Sequence, residues 1–513
     1  MLDDYHAIQN PTIDHLSQPE PLRHFMLGSS VWHPLSADAL DRLPDVSESQ
    51  RHLQRLVEQN LFVSALSGEA ETYAYHPLFR EFLQTRLARQ DPMWYAQLRL
   101  ASARLYAEQA RWERAVEALL ALEHYDEAIE TLARAEDSLR KLSEIATVAS
   151  WLERIPVALS QMGPHLLALQ GKLHLARGEP ARAVPLFEQA IAAFERAGDY
   201  AAAVDKAVWK GTALRFLGRY PECLAECERI QRWIACLPAE HPATTRLRAA
   251  GLHLDGVAQW HLGDLAHADT ALNQARALFD TTDDCVSRAN VYHDLGMVAR
   301  ARGELPAALA AYRVALALWE QMGYRDSAAQ TLNNLGYLHL LRGEMQEAER
   351  VLQDALQRAR PGSGGRTEAA VLATLGDLSR EQGEWTHALE FYRESLSMAE
   401  EVQDAHLVFY ARVALGDTSR SMREWTCARE WLDAAAGCVD TAALVERGQL
   451  ALAEGALASD QGQLDAAGTW LHQAADDFRQ AGNKHLEALA HRLSPDAFGG
   501  TSTKRQCAAP QEQ

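Results

Sequence analysis

The chain has 513 residues, of which 47% are hydrophobic and 7% aromatic, and this length exceeds what one hydrophobic core usually supports. It carries 50 Lys and Arg against 70 Asp and Glu, a formal charge of −20, which disfavours non-specific binding to nucleic acid. No apolar run reaches the roughly 18 residues of a membrane span, and residues 1–10 lack the basic and apolar regions of a secretory signal, so we expect a cytoplasmic protein with no membrane contact.

The first predicted domain covers residues 21–90 and is winged-helix-like. Helix-forming runs precede a strand-like segment at 60–66, a turn at Ser67 and Gly68, a second strand at 71–75 and a helix from Pro77. The segment is not markedly basic, whereas DNA binding needs phosphate contacts. We therefore expect no direct DNA binding by this domain. Residues 91–163 follow as a predicted helical linker.

The strongest signal is an internal repeat over residues 164–493. A first glycine column recurs at intervals of about 40 residues, and a second column follows it by seven residues. Glycine at the second column fits a left-handed turn that ends one helix before the next begins. The first column consists of Gly171, Gly211, Gly256, Gly296, Gly336, Gly376, Gly416 and Gly455, and the second of Gly178, Gly218, Gly263, Gly303, Gly343, Gly383 and Gly462, with Arg423 in the seventh unit.

Two further columns complete the repeat. Small residues stand twelve positions after the first glycine, where helix backbones come close. Large residues stand sixteen positions after it and are predicted to fill the space between neighbouring hairpins. Cys223 and Cys227 occupy one of each slot, so these two of the seven cysteines are interpreted as packing residues and not as a metal site. The pattern resembles the tetratricopeptide repeat (TPR) and predicts an all-α, TPR-like α-solenoid of about eight 40-residue helical hairpins. Surface loops are predicted at 237–245 and 361–366.

Stacked hairpins of this type form a curved array whose inner wall, lined by the first helix of each hairpin, can bind a partner. Candidate wall residues stand three positions before and four positions after the first glycine column. Arginines at one offset in three units suit a carboxylate or phosphate group; the alternative is that they form salt bridges to acids of adjacent hairpins. The candidates for partner binding are His253, Trp260, His293, Arg300, Asn333, Arg380 and Arg420.

Five segments resemble the MalT/LuxR-type large transcription regulators: residues 25–38, 56–63, 73–83, 107–119 and 149–156. The resemblance implies a winged helix that follows an ATPase core and precedes a superhelical sensor domain. Residues 2–6, which contain Asp3 and Asp4, are similar to the family's Walker B segment, so residues 1–20 are interpreted as a remnant of it. His76 is similar to a winged-helix histidine that contacts nucleotide phosphate in related ATPases; the simpler interpretation is a residue at the start of the Pro77 helix.

The chain lacks other parts of that family. No Gly-x-x-x-x-Gly-Lys-Ser/Thr loop occurs in it, and residues 494–513, which stand where a helix-turn-helix is expected, have a composition typical of a disordered tail. We found no nucleophile elbow, zinc helix or dinucleotide fingerprint. The sequence therefore predicts no catalytic, metal or cofactor site.

Three functional hypotheses remain. The first is a non-enzymatic binding or sensor scaffold, derived from a MalT-type regulator, that takes a protein, a peptide or a small effector. The second is an ATP-dependent LuxR/MalT-family transcription regulator that is truncated or completed by a partner chain. The third is a chain that dampens an intact paralogue by pairing with its superhelix.

Overall fold

The computed structural model describes residues 19–59, 62–66, 72–135, 142–156, 163–238, 241, 243–359, 365–438, 444–481 and 484–493. These ranges contain 25 helices and one two-stranded sheet, so the predicted helical fold class is confirmed. The chain divides into two units, Met1–Ala193 and Phe194–Gln513. None of the described helices combines the length and the apolar composition that a bilayer crossing requires.

The first unit begins with a winged-helix domain, as the sequence predicted. Its two strands pair antiparallel, with Val63 opposite Tyr75 and Ala65 opposite Tyr73, and the predicted turn at 67–68 lies outside the described residues. Trp32 and Phe79 are almost fully buried in its core. In chain order the elements are α1 (Glu20–Ser29), α2 (Ala37–Leu40), α3 (Ser49–Glu58), β1 (Val63–Ala65), β2 (Tyr73–Tyr75) and α4 (Pro77–Gln90).

Helices continue from the winged-helix domain to the first repeat hairpin. Trp151 has no exposed surface, and its indole Nε1 donates a 2.6 Å hydrogen bond to Glu117, which also binds Arg154 at 2.6 Å. This part of the chain is therefore held by a packed core with satisfied polar groups. The helices are α5 (Pro92–Glu108), α6 (Trp112–Ala121), α7 (Tyr125–Ala135), α8 (Leu142–Arg154), α9 (Pro164–Ala176) and α10 (Pro180–Ala197).

The second unit consists of consecutive helical hairpins. With α9–α10 as hairpin 1, hairpins 2 to 8 follow, and a short last helix packs against hairpin 8. They are α11 (Tyr200–Phe216) and α12 (Tyr220–Cys236); α13 (Thr244–His261) and α14 (Leu265–Phe279); α15 (Cys285–Ala301) and α16 (Leu305–Met322); α17 (Arg325–Leu341) and α18 (Met345–Ala359); α19 (Arg366–Glu381) and α20 (Trp385–Glu401); α21 (Ala405–Ser421) and α22 (Trp425–Ala436); α23 (Leu444–Asp460) and α24 (Leu464–Gln480); and finally α25 (Lys484–Leu493).

The first glycine column lies inside the first helices. At seven of its eight positions an added Cβ would meet the large residue of the same hairpin, and at Gly211 it would meet Leu254 of the next hairpin. A Cβ added to Gly296 would lie 2.6 Å from the ring of Tyr312, and one added to Gly336 would lie 2.5 Å from Leu352. Both large residues are fully buried. The large column therefore packs mainly within each hairpin, against its glycine, and not only between neighbouring hairpins as the sequence analysis assumed.

The small column and the second glycine column take the predicted places. All eight residues of the small column, Cys223 included, have 0% exposed surface. The second-column glycines have φ between 70° and 87°, and Arg423 takes their place with φ 63°. In this left-handed conformation the chain closes each first helix: for example, the N–H of Glu304 donates to the carbonyl of Ala299 at 2.8 Å.

The packing of the second unit identifies its inner side. First helices of successive hairpins contact one another, because α11 packs against α13, α13 against α15, α17 against α19, α19 against α21, and α21 against α23. Among the described residues, the second helices of successive hairpins make no contacts of that extent. Helices that approach each other lie on the inside of a curved stack. We call the surface formed by the first helices α11, α13, α15, α17, α19, α21 and α23 the inner wall.

Candidate functional site

All seven candidate residues lie on first helices. His253 and Trp260 belong to α13, His293 and Arg300 to α15, Asn333 to α17, Arg380 to α19 and Arg420 to α21. The structure does not join them into one continuous stripe. Most of them instead contact the first helix of the next hairpin.

The two histidines connect three consecutive hairpins. His253 Nε2 lies 2.6 Å from Asp294 Oδ2, and His293 forms hydrogen bonds with Thr331 Oγ1 at 3.0 Å and Asn334 Nδ2 at 3.1 Å. Burial lowers the pKa of His293, and Arg215 acts in the same direction against the opposing charge of Asp294. The lowered pKa indicates a neutral His293 ring. In a neutral ring one nitrogen is a donor and the other an acceptor, which agrees with the two hydrogen bonds.

Asp294 keeps its charge in this buried setting. Burial alone would raise the pKa of its carboxyl group, but the hydrogen bond from His253, together with the charges of His253 and Arg215, holds that pKa below its usual value. The centre of the inner wall therefore holds an ionised acid paired with a histidine. Such a pair can position a polar partner but leaves Asp294 little capacity for a second cation.

Arg300 behaves differently from the two arginines further along the chain. Its guanidinium carbon lies 5.2 Å from the centre of the Tyr337 ring on the next first helix. In the described part of the chain it has no carboxylate within salt-bridge distance, and its Nε is buried without a hydrogen-bond partner. Asn333 Oδ1 is also buried without a described partner. Arg300 also interacts with the Tyr312 hydroxyl, so the hydrogen-bonding capacity that remains on the inner wall is that of Arg300 Nε and Asn333 Oδ1.

Arg380 and Arg420 are paired with acids. Arg380 Nη2 lies 3.7 Å from Asp377 Oδ1 in its own helix, and Arg420 Nη1 lies 2.5 Å from Asp460 Oδ2 of the next hairpin. Both arginines therefore form ion pairs, as the alternative interpretation of the sequence proposed. Only Arg420 pairs with an acid of the adjacent hairpin, because the acid beside Arg380 lies in the same helix. Both are half-buried, so their charges are largely committed to structure.

Asp377 anchors a buried polar cluster beside Arg380. Its carboxylate accepts hydrogen bonds from the hydroxyls of Tyr392 at 2.7 Å and Tyr410 at 2.5 Å. Burial raises the pKa of Asp377, while Arg380 and the two hydroxyls oppose this rise. The cluster joins α19, α20 and α21 and serves packing of the inner wall more than ligand access.

Sequence reasoning missed Arg215, although the repeat contains the signal. Arg215 stands four positions after Gly211, the same offset that identified Arg300, Arg380 and Arg420. It is half-buried, and among the described residues no carboxylate lies within salt-bridge distance of it. Its positive charge lowers the pKa of His261 in hairpin 3 and of His293 in hairpin 4.

An aromatic pair beside Arg215 was missed as well. The rings of Tyr220 and His261 stack with centroids 4.6 Å apart and planes 12° apart, and Trp260 lies next to His261 with ring centroids 4.4 Å apart. Burial, with a smaller effect from Arg215, lowers the pKa of His261 to about 4, so this ring is neutral at pH 7. Tyr220 belongs to the start of a second helix, and no column in the sequence singled it out.

Charges from late hairpins of the second unit act on this pair. The charge of Glu446, in hairpin 8, acts on the pKa of Tyr220 in hairpin 2, and that of His406, in hairpin 7, acts on His261. Interactions between such charges fade over a Debye length of about 10 Å. Residues more than 140 positions apart in the chain therefore lie close enough for their charges to act on one another.

The remaining predicted features lie elsewhere. His76 stands directly before α4 and makes no side-chain capping bond. Cys223 and Cys227 are buried free thiols, and the described residues contain no group of three metal-binding side chains. Asp3, Asp4, the loop residues 361–364 and the tail 494–513 lie outside the described residues.

Comparisons with known proteins identify two regions. Residues 16–95 match the family model of the MalT winged helix domain, and residues 267–493 match that of the MalT-like TPR region. The HTH-type transcriptional regulators MalT of Yersinia pestis (strain Pestoides F) and of Yersinia pseudotuberculosis serotype I (strain IP32953) are each 27% identical over 173 residues, which is 34% of this chain. The match spans only 19% of the length of those relatives.

A solved structure supports the fold. A signal transduction ATPase with numerous domains and a tetratricopeptide repeat sensor, from Pyrococcus horikoshii, superposes with a TM-score of 0.54 and 12% sequence identity. The superposition covers 82% of this chain and 63% of that one. At this identity the likeness concerns the fold alone.

Proposed function

Because the chain carries a MalT winged helix domain and a MalT-like TPR region, we propose that it is a non-enzymatic regulatory scaffold that binds a protein or peptide segment along the inner wall. The proposed setting is the cytoplasm. The segment offers carboxylates to Arg215 and Arg300. It offers apolar or aromatic side chains to the stacked rings of Tyr220 and His261. A small effector with the same groups is the narrower alternative within this proposal.

One observation carries the proposal: Arg215 and Arg300 are half-buried cations on the inner wall without a carboxylate partner among the described residues. A partly buried charge that lacks a counter-charge is costly, so a ligand carboxylate that reaches it gains a charge-assisted hydrogen bond. Tyr220 and His261 provide flat surfaces beside Arg215, and aromatic residues together with arginine dominate the energetics of many interfaces.

The experiment compares capture by the full chain and by two charge-reversed variants. The double variant Arg215→Glu/Arg300→Glu is expected to lose a protein or peptide that the parent retains from cell lysate, with at least a tenfold loss in affinity once that partner is purified. The matched control is the double variant Arg232→Glu/Arg393→Glu, at exposed positions of the second helices α12 and α20, which changes the net charge equally and should retain the partner. Equal retention by all three proteins would remove the inner wall as the binding surface.

A second pair of variants tests whether the arginines at one repeat offset, Arg300 and Arg380 among them, bind the partner together. Reversal of Arg300 and Arg380 together should weaken the same partner mainly through Arg300, because Arg380 is already paired with Asp377. If Arg380→Glu alone weakens the partner as strongly as Arg300→Glu alone, the paired arginine is a ligand contact and our division of the inner wall is wrong.

The ATP-dependent regulator remains the competing function, because the matched relatives are transcriptional regulators. A titration with fluorescent mant-ATP distinguishes the two. We expect no saturable binding at micromolar nucleotide, since the chain has no glycine-rich phosphate loop. Micromolar binding by this chain alone, or a gel shift with promoter DNA, would favour the regulator. Co-purification with an intact regulator of the same type would favour the paralogue-dampening function.

A further inference from the structure

A group of arginines surrounds His33 in the first unit, away from the inner wall. Arg111 Nη1 lies 3.5 Å from the carbonyl oxygen of His33, and Arg114 Nη1 donates a hydrogen bond to the same oxygen. Two guanidinium groups therefore share one neutral acceptor. Arg80, from helix α4, adds a third positive charge that acts on His33.

The aromatic side chains below this cluster hold the guanidinium groups in place. Arg111 lies 5.8 Å from the centre of the Trp32 ring and 6.0 Å from that of Tyr106, and Arg114 lies 5.8 Å from that of Tyr106. Trp32 and Tyr106 stack on each other with centroids 4.1 Å apart. Cation–π contacts of this kind orient an arginine without consuming its N–H donors.

No counter-charge compensates these cations in the part of the chain that the structure describes. Neither Arg80, Arg111 nor Arg114 has a carboxylate within salt-bridge distance there, whereas Arg42, also in this unit, pairs with Glu108. The lack of a carboxylate beside these three arginines contrasts with the overall excess of acids, since the protein has 70 acidic and 50 basic residues. Like charges that converge without an acid repel one another, so an anion between them would be stabilised strongly.

The histidine itself has an unused polar atom. His33 Nδ1 is buried and has no hydrogen-bond partner among the described residues. Its backbone N–H donates to the Tyr106 hydroxyl at 3.1 Å, so the main chain is satisfied and the ring is not. Burial, followed by the charges of Arg80, Arg114 and Arg111, lowers the pKa of His33. The neutral ring can offer Nδ1 as a donor or an acceptor.

We propose that Arg111 and Arg114 form a phosphate-binding site beside His33, to which Arg80 adds its positive charge. Three guanidinium groups carry three positive charges, which a doubly charged phosphate offsets more fully than a single carboxylate does. The tetrahedral oxygens of a phosphate accept hydrogen bonds from several directions, as the forked donors of arginine require. The phosphate belongs either to the free inorganic ion or to a small phosphomonoester. This site is independent of the partner proposed for the inner wall.

The test is calorimetric titration of the full chain with inorganic phosphate and, separately, with glycerol 2-phosphate, in a chloride buffer of low ionic strength. We expect saturable binding with one site per chain, and the tighter of the two ligands identifies the source of the phosphate. Arg111→Gln and Arg114→Gln should each weaken the affinity at least tenfold. The matched control is Arg99→Gln on α5, an arginine that also lies over a tyrosine ring, at 5.8 Å from Tyr95; it should bind as the parent does.

Thermal unfolding separates lost binding from lost folding. Phosphate should raise the Tm of the parent and of Arg99→Gln, because a ligand that binds only the folded state stabilises it. At the same phosphate concentration the Tm of Arg111→Gln and of Arg114→Gln should rise by less. The proposal is overturned by no saturable binding to the parent, or by an equal loss in Arg99→Gln. Displacement of phosphate by an equal concentration of acetate would likewise overturn the assignment to phosphate.

Discussion

The guanidinium carbon of Arg300 lies 5.2 Å from the centre of the Tyr337 ring, and this contact joins the first helices of hairpins 4 and 5. Arg300 stands at the same repeat offset as Arg420, yet Arg420 joins hairpins 7 and 8 through Asp460. One column of the repeat thus supplies the same mechanical link through two different interactions. The side chain that the next hairpin presents decides which one forms.

The stability contribution of this contact can be measured with a double-mutant cycle. Arg300→Met keeps much of the apolar length of the side chain, and Tyr337→Leu removes the ring face. We expect a coupling free energy of about 0.5–2 kcal/mol, the range for a partly desolvated cation–π pair. Denaturant unfolding of the four proteins provides the measurement. Additive single effects would mean that the two side chains pack side by side without specific attraction.

The first glycine column makes a prediction about helix packing. Gly296→Ala should destabilise the second unit by about 1–3 kcal/mol, because the new Cβ would lie 2.6 Å from the fully buried Tyr312 ring. This cost exceeds the ~1 kcal/mol that alanine gains over glycine in a helix.

The control for this substitution is Gly468→Ala. Gly468 lies inside α24, and an added Cβ there meets no atom within 4 Å. The same exchange should therefore stabilise by about 0.5–1 kcal/mol. Hydrogen exchange of the affected hairpins measures both. If the two substitutions change stability with the same sign, close helix contact is not the reason for the glycine column.

Much of the fold could be predicted because its determinants are local and repeated. The glycine columns, the small column and the hairpin period follow from the geometry of two antiparallel helices, which is the same in every unit. Cys223 could be interpreted as a substitute for alanine on this basis, and it is fully buried. The winged-helix order was also predictable, because the strand, turn and helix signals lie within 30 residues.

The candidate site was less predictable, because its contacts connect different hairpins. Offsets within one repeat identify which side chains face inward but not which residue they meet. The acid that neutralises Arg420 is 40 residues away, and the aromatic partner of Arg300 is 37 residues away. Whether residues of hairpin 2 face hairpins 7 and 8 depends on the summed curvature of the stack, which no single repeat encodes.

The buried carboxylate of Asp377 leads to a prediction about hydrogen bonds. Tyr410→Phe should cost about 1.5–3 kcal/mol, the usual range for a hydrogen bond to a charged group, because the hydroxyl binds this fully enclosed acid at 2.5 Å. Tyr292→Phe is the control, since its hydroxyl lies 3.4 Å from Asp280 at the surface, and should change stability by less than about 0.5 kcal/mol. Denaturant unfolding measures both variants. Equal losses of stability in Tyr410→Phe and Tyr292→Phe would mean that burial does not strengthen the hydrogen bond to Asp377.

The neutral ring of His293 predicts a pH dependence of stability. Its folded pKa is lowered by burial and by Arg215, against the charge of Asp294, so the unfolded chain takes up the proton first. Folding stability is therefore fully present above the unfolded pKa of about 6.5 and falls as the pH drops below it. The free energy of unfolding should fall between pH 7.5 and pH 5.5.

The variant His293→Gln isolates that residue from the other histidines. It should lose less stability over the same pH interval than the parent does, because glutamine does not titrate. His387→Gln, at an exposed histidine paired with Glu384, is the control and should retain the parent's full pH dependence. A pH dependence in His293→Gln equal to that of the parent would show that the His293 ring does not resist protonation.

The one break in the second glycine column offers a stabilising substitution. Arg423 is exposed and adopts φ 63°, the left-handed conformation that glycine occupies at the other hairpin turns. Because a side chain with a Cβ is strained there, Arg423→Gly should stabilise hairpin 7 by about 0.5–1 kcal/mol, after the larger unfolded-state entropy of glycine is subtracted. Arg393→Gly, at an exposed position inside α20, should instead destabilise by about 1 kcal/mol. Local hydrogen exchange of α21 and α22 measures the effect of Arg423→Gly. A loss of protection there would mean that the arginine side chain, and not the turn geometry, stabilises this hairpin.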